Sequence, residues 1–164
     1  MSHGIGHLMC GRVLGRRSVS KKYIHYGHKG FDRNRFRPIK NHIALTKPDG
    51  GFWASPIDAE YGWKKWCDEN DFRYCGQNNC FTFTLSPGAR VLTIRSADGL
   101  DNLPQIKDEW ALPSWCMLDF EKLLEQGYDA VELELSADWR LYMSLYGWDC
   151  DSILIMNPDV IVEV

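Results

Sequence analysis

The chain has 164 residues, of which 45% are hydrophobic and 25% are charged, and its formal net charge is −3. This length and composition are typical of one globular domain that is long enough to bury a core. No apolar run approaches the roughly 20 residues of a membrane span, and no apolar segment follows the basic N-terminal residues as it does in a signal peptide. We therefore expect a cytoplasmic protein without a membrane partner.

The charges are distributed unevenly along the chain. Residues 1–47 hold eleven Lys and Arg and a single acid, whereas residues 48–164 hold eight Lys and Arg and twenty-one acids. A basic front of this kind can bind the phosphates of a nucleotide or of a nucleic acid. Docking onto the acidic remainder of the same chain explains the pattern equally well. We expect a poorly ordered basic arm over 1–20 and a single domain over 21–164.

The six cysteines are scattered and form no Cys-x-x-Cys pair, and all five histidines lie in the first 42 residues. Neither set has the spacing of a usual zinc site. We therefore predict buried free thiols and no metal.

The stretch over 50–67 is the most informative part of the chain. It begins with two glycines, which allow another group to approach the backbone closely, and continues as a short aromatic strand. Ser55 is a favoured N-cap residue and Pro56 suits the first helical position, so the sequence predicts a helix over 57–67. The predicted helix carries Trp63 and Trp66 on one apolar face. The simplest interpretation is a capped surface helix whose tryptophans pack into the core.

Alternating apolar and polar residues, bounded by turn residues, predict the strands of the chain. The predicted strands lie at 22–27, 80–85, 89–94, 128–135, 153–156 and 160–164. A Ser-Pro-Gly turn between the second and third of these favours a hairpin. A second helix is predicted over 113–126, with Gly127 as its stop signal. Residues 28–47 form a long basic loop, which is often a binding loop. Mixed strands with two interposed helices indicate the α+β class.

A polar stretch comes directly before the strand predicted over 153–156. Asp149, Asp151 and Ser152 follow a Gly-Trp pair there. Carboxylates at such a position either line a cleft or cap turns in an ordinary loop, because burying them without partners is costly.

Three segments together resemble the ADP-ribosyltransferase fold family, which includes poly-ADP-ribose polymerases and many bacterial and phage toxins. They are the Tyr-Ile-His-Tyr-Gly strand at 23–27, the Gly-Phe-Trp-Ala-Ser strand at 51–55 that leads to Trp66 and Cys67, and the acid-apolar ending at 151–164. The chain is also similar to small bacterial and phage proteins with related segments. The resemblance implies a split mixed or antiparallel sheet with two main helices. It also implies transfer of ADP-ribose from NAD to a protein or nucleic-acid acceptor, with release of nicotinamide.

The resemblance also implies roles for individual residues. Cleavage of the nicotinamide–ribose bond passes through an oxocarbenium-like sugar, which a carboxylate stabilises. Asp151 or Asp149 takes that role here, although the family usually has Glu. The family also has His directly before Gly, whereas Tyr26 intervenes here. The resemblance further implies that His25 or Tyr26 binds a ribose, that the Gly27 backbone binds the carboxamide and that Ser55 orients the substrate. The aromatic residues expected to bind the cofactor are Trp53, Tyr61, Trp63 and Trp66. The cations expected on the pyrophosphate are Arg33, Arg35, Arg37 and Lys40.

Two alternatives stay open on the same segments. One is a non-catalytic module that holds a nucleotide or RNA in an aromatic cleft. The other is an NAD-dependent RNA 2′-phosphotransferase. The sequence identifies neither the acceptor nor the oligomeric state.

Overall fold

A seven-stranded sheet organises residues 20–107 and 109–164, the part of the chain that the computed structural model describes. The strands are β1 (Lys22–Tyr26), β2 (Phe52–Pro56), β3 (Cys80–Leu85), β4 (Val91–Ile94), β5 (Ala130–Leu133), β6 (Ser152–Ile155) and β7 (Ile161–Glu163). Their order is β4-β5-β6-β2-β1-β3-β7, and only β4 and β5 are parallel neighbours. The predicted α+β class and the mixed sheet are confirmed. Almost all of the arm predicted over 1–20 lies outside the described residues.

Three short helices accompany the sheet in the described ranges, rather than the two that were predicted. They are α1 (Trp63–Glu69), α2 (Phe120–Glu125) and α3 (Arg140–Ser144). None of them is long and apolar enough to cross a membrane. Helix α2 begins where the Asp119 carboxylate accepts a hydrogen bond from the Lys122 N–H at 2.8 Å. The predicted start at residue 113 is wrong, because a bridge between Gln105 and Leu118 keeps the preceding segment extended.

The predicted start of the first helix is also wrong, although Ser55 does cap it. Strand β2 continues through Pro56, because Ser55 and Pro56 pair with residues of β1. Helix α1 begins at Trp63, and Gly62 at its N-cap provides no side-chain bond. The Ser55 hydroxyl instead accepts a hydrogen bond from the Trp63 N–H at 2.9 Å. Ser55 therefore caps the helix from a neighbouring strand, eight residues upstream.

The predicted hairpin between β3 and β4 does not form. Strand β3 pairs with β1 and β7, whereas β4 pairs in parallel with β5 near the opposite edge of the sheet. The Ser-Pro-Gly turn therefore begins a crossing from one part of the sheet to the other. A local turn signal reports that the chain reverses, but it does not report which strand becomes the partner.

The sheet divides at β2, which changes partner along its length. Its first part, from Phe52 to Ala54, pairs with β6, and its last two residues pair with β1. Beyond Ile24, β1 pairs with β3 alone. Strands β1 and β2 therefore separate at the ends that carry Tyr26 and Trp53, and this separation leaves a gap in the sheet.

Apolar side chains pack on both faces of the sheet. Strand β6 contributes Leu154 to one core and Ile153 and Ile155 to the other. The first core also includes Phe120 of α2 and the fully buried Trp148. Burial on both faces fixes the position of β6 and of the polar segment that leads into it.

The two glycines before β2 accommodate a close approach by the chain itself. Gly50 and Gly51 have φ values of +76° and +68°, in the left-handed region that favours glycine. A Cβ atom on Gly50 would collide with the Pro38 carbonyl oxygen, and one on Gly51 would lie 2.5 Å from Leu154 Cδ1. The loop that precedes β2 is thereby held against the sheet, and it brings Lys47 to the start of β2.

Candidate functional site

A cavity of about 250 Å³ opens where β1 and β2 separate, and we call it the cleft. Its walls are formed by Ile24, His25 and Tyr26 of β1, by Trp53, Ala54 and Ser55 of β2, by Asp149, Cys150 and Ser152 around the start of β6, and by Lys47, Trp63 and Arg73. The three segments that the sequence analysis singled out therefore meet in one cavity. They meet because β6, β2 and β1 are consecutive neighbours in the sheet.

The side chain of His25 spans the gap between the two strands. Its Nδ1 lies 2.7 Å from the carbonyl oxygen of Trp53, which can only accept, so Nδ1 carries the proton. The Nε2 atom is then an acceptor, and it is buried without a hydrogen-bond partner among the described residues. Burial lowers the pKa of His25, the bond to the Trp53 carbonyl opposes this effect, and the charges of His28 and Arg73 add to it. The imidazole is therefore neutral near pH 7.

Tyr26 and His25 both line the cleft, but their surroundings differ because they alternate along β1. The His25 ring packs against Phe52 and Phe81, at centroid distances of 4.4 and 5.7 Å. Burial raises the pKa of Tyr26, so its hydroxyl stays protonated at neutral pH and can donate a hydrogen bond. The cleft thus offers a donor on Tyr26, whereas the acceptor atom of His25 is buried.

Two tryptophans provide the flat apolar walls of the cleft. Trp53 packs edge-on against the buried Trp148 at 4.7 Å, and Trp63 stacks on Trp66 at 5.1 Å. Trp66 does not line the cleft, and it supports Trp63 from behind. Tyr61 does not line it either, and its ring lies under the Lys65 ammonium at 5.4 Å. Of the four aromatics expected to contact the cofactor, Trp53 and Trp63 line the cleft.

The hydroxyl of Ser55 joins three elements at the base of the cleft. It donates to the backbone carbonyl of Asp151 at 2.9 Å and accepts from the Trp63 N–H, also at 2.9 Å. Ser55 is buried, with only 2% of its surface exposed. It therefore holds β2, α1 and the start of β6 in register, and it positions Trp63.

The two candidate carboxylates face different surroundings. Asp149 lines the cleft, and its Oδ2 lies 3.6 Å from the Lys47 ammonium. Asp151 lies outside the cleft, and its carboxylate accepts three hydrogen bonds: from the Ser136 N–H at 2.9 Å, from the Ser136 hydroxyl at 2.8 Å and from the Tyr61 N–H at 3.2 Å. Alternation at the start of β6 turns Cys150 and Ser152 towards the cleft and Asp151 away from it. The expectation that Asp151 reaches a ligand in the cleft is therefore wrong, and Asp149 is the carboxylate available there.

The arginines proposed for a pyrophosphate do not reach the cleft. Arg33 pairs with Asp159 and Lys40 pairs with Glu121, while Arg35 contacts His28. Arg37 also lies outside the lining. Four of the eight basic-front cations that the structure describes pair with acids in the remainder of the chain, namely Lys21, Arg33, Lys40 and Lys47.

The sequence analysis missed the two cations that do line the cleft, Lys47 and Arg73. Lys47 comes shortly before the glycine pair, so its proximity to β2 was a usable signal. Arg73 lies in a connection without periodicity, and no sequence signal indicated it.

Gly27 does not line the cleft, and its N–H is already used. It donates to the Asn79 carbonyl at 2.8 Å, so it is not free to bind a carboxamide.

Cys150 does line the cleft, and burial raises its pKa to about 12. It is therefore a neutral thiol at pH 7 and a weak nucleophile.

The five described cysteines are free thiols, and four of them are buried, as the sequence predicted. In the ranges that the structure describes, no three or more His, Cys, Asp and Glu side chains are grouped so that they could hold a metal ion.

Comparison with known proteins gives no match. No family model matches this chain, and no curated protein or solved structure matches it. The function is therefore argued from the cleft itself.

Proposed function

We propose that this protein is an NAD-dependent ADP-ribosyltransferase, which transfers ADP-ribose to a macromolecular acceptor and releases nicotinamide. One observation carries the proposal: each of the three segments that resemble this family contributes to the lining of a single cleft, which also holds the Asp149 carboxylate and the Trp53 and Trp63 walls. Five side chains have roles in it, namely Asp149, His25, Tyr26, Trp53 and Trp63.

The proposed reaction needs few chemical groups. The bond between the nicotinamide nitrogen and the ribose carbon breaks, and its electron pair leaves with a neutral ring, so no general acid is needed. The sugar becomes an oxocarbenium-like cation, as it does in glycoside cleavage. A fixed carboxylate in a water-poor cavity stabilises that charge, and Asp149 is placed to supply it. An acceptor oxygen or nitrogen then bonds to the ribose carbon and loses its proton.

The other cleft residues bind and orient the substrate. Trp53 and Trp63 offer flat faces for the nicotinamide ring, since aromatic rings pack in offset or edge-on pairs. The neutral His25 ring holds the Trp53 backbone through its Nδ1 bond, and the Tyr26 hydroxyl can donate to a carbonyl or ribose oxygen. At about 250 Å³ the cavity is small for a ligand site, and this size suits the nicotinamide–ribose half of NAD. The adenosine half then extends along the open side.

A second candidate function is a non-catalytic module that binds a nucleotide in the same cleft. The ion pair between Asp149 and Lys47 favours it, because a neighbouring ammonium offsets the negative charge that the reaction requires. The module and the transferase bind the same class of ligand, and they differ in whether the glycosidic bond breaks.

The experiment that separates them follows free nicotinamide by chromatography after the purified protein is incubated with NAD. The transferase proposal expects release by the wild type and at least a hundredfold loss in Asp149→Ala. Asp98→Ala is the matched control, because it removes an exposed, ion-paired carboxylate outside the cleft and should leave release unchanged. NAD binding without release favours the module, and the absence of both contradicts the two proposals together.

A further inference from the structure

Two cations and one carboxylate line the cleft, so its lining carries a net positive charge. The cations lie on different walls. The charge of Lys47 acts on Cys150 at the start of β6, whereas the charge of Arg73 acts on His25 of β1. A ligand that bridges the two walls can contact both cations.

Lys47 is held loosely in this arrangement. Its ammonium lies 3.6 Å from the Asp149 carboxylate, which is longer than a charge-assisted hydrogen bond, and 5.2 Å from the centroid of the Trp53 ring. About a third of each side chain in the pair is exposed, 37% for Lys47 and 27% for Asp149. An ion pair with this length and exposure contributes little, so Lys47 can change partner at small cost.

Arg73 has no carboxylate partner in the described part of the chain, and its guanidinium lies over the Phe72 ring at 5.6 Å. Guanidinium groups bind phosphate oxygens through paired N–H donors. Arg73 is therefore a cation at the cleft whose hydrogen-bonding donors are available to a ligand.

We propose that Lys47 and Arg73 form an anion subsite that binds the diphosphate of a dinucleotide, and that its occupation draws Lys47 away from Asp149. This inference rests on the proposed function for the identity of the dinucleotide. It replaces Arg33, Arg35, Arg37 and Lys40 with Lys47 and Arg73 as the diphosphate contacts. It also explains how Asp149 can act in catalysis although it is paired with Lys47. Without substrate, the Lys47 ammonium offsets the charge of the Asp149 carboxylate. When the substrate's phosphates bind Lys47, the Asp149 carboxylate loses that partner and can stabilise the cationic sugar.

Calorimetry with ADP and with adenosine tests the subsite without any turnover. The subsite predicts that ADP binds at least tenfold more tightly than adenosine. Lys47→Gln and Arg73→Gln should each weaken ADP binding roughly tenfold and leave adenosine binding unchanged. Lys122→Gln and Arg95→Gln are matched controls, because each removes an ion-paired cation outside the cleft.

The release of Lys47 has its own measurement. Asp149→Asn should tighten ADP binding several-fold, because it frees Lys47 for the phosphates, and the gain should disappear in the double variant Asp149→Asn with Lys47→Gln. A gain that persists in the double variant contradicts the release.

The outcomes distinguish this inference from the proposed function. ADP affinity within twofold of the controls in both cleft variants overturns the subsite, even if the wild type releases nicotinamide. ADP binding that depends on both cations, without nicotinamide release, supports the subsite and contradicts the transferase. Circular dichroism and the melting temperature show whether each variant is folded. The variants Lys47→Arg and Arg73→Lys keep the charges, so they should retain ADP binding within about threefold.

Discussion

Two carboxylates of the same chemical type lie on either side of Cys150, and the structure gives them opposite surroundings. The Asp149 side chain faces the cleft, is partly exposed and has one loose ion pair. The Asp151 side chain is buried, lies outside the cleft and accepts three hydrogen bonds from Ser136 and Tyr61. A carboxylate whose oxygens already accept hydrogen bonds from the protein stabilises the fold. A carboxylate whose oxygens are free to accept further hydrogen bonds can bind a ligand.

The difference does not follow from strand alternation, which places side chains two positions apart on the same face. Asp149 lies in the irregular segment before β6 and its side chain turns to the cleft, whereas Asp151 is bridged to Gly62 at the start of the strand. Asp151 ties the start of β6 to the segment after β5 through Ser136, and to the segment before α1 through Tyr61. The fixed position of Asp149 in the cleft depends on that network.

The largest expected effect is a loss of stability in Asp151→Ala. The variant removes the three hydrogen bonds that a buried carboxylate accepts, so we expect the free energy of unfolding to fall by roughly 3 kcal/mol. Asp149→Ala should lower it by about 0.5 kcal/mol, because the ion pair it breaks is long and partly exposed. Urea denaturation followed by circular dichroism measures both. Equal losses would mean that the two carboxylates do not have the different roles assigned to them.

Ser55→Ala should have the next largest effect. It removes the only described side-chain cap of α1 and the bond to the Asp151 carbonyl, so we expect a loss of about 2 kcal/mol. Ser152→Ala is the matched comparison in the same cleft, since its hydroxyl makes a single bond to the Cys150 carbonyl, and should cost about 1 kcal/mol. If Ser152→Ala proved the more damaging variant, the role of Ser55 in joining three elements would be wrong.

The pH dependence of stability should be weaker in His25→Asn. Burial puts the folded-state pKa of His25 below its ordinary value of 6.5, so the unfolded chain binds a proton more readily. Stability from this group is present above about pH 6.5 and is lost as the pH falls through the folded-state pKa. Asn retains a donor for the Trp53 carbonyl without titrating. Denaturation curves at pH 7.5 and 5.5 should show a smaller difference for the variant, and an undiminished difference would contradict a buried neutral imidazole.

The smallest effect is expected at Lys64, which forms an exposed pair with Asp68 one helical turn later, at 2.6 Å. Exposed pairs of this kind contribute little, so Lys64→Ala should leave the melting temperature almost unchanged. The same reasoning makes the pair of Lys47 and Asp149 easy to separate. A marked drop in melting temperature for Lys64→Ala would weaken that reasoning for both pairs.

Local patterns predicted most of the strands and the α+β class. Alternation between turn residues located β1, β3, β4, β5, β6 and β7 to within two residues at each end, because those strands are bounded by glycine, proline or polar turns. The helix at 57–67 was misplaced because pairing with β1 holds Ser55 and Pro56 in a strand, and that partner is distant in sequence.

The site was predictable only in part, for a similar reason. The three segments were identified from their own residues, but the choice between Asp149 and Asp151 depends on the path of the irregular segment before β6, which turns Asp149 to the cleft. Lys47 and Arg73 reach the cleft through the paths of two irregular loops, which composition and periodicity do not determine. Tertiary contacts decided each of these cases.

A crystal structure with a non-hydrolysable NAD analogue tests the central claim most directly. We predict the nicotinamide ring between Trp53 and Trp63, the reacting ribose carbon beside the Asp149 carboxylate, and the Asp151 network unchanged. An analogue bound elsewhere on the protein, or a ribose that contacts Asp151 instead of Asp149, would contradict the proposal.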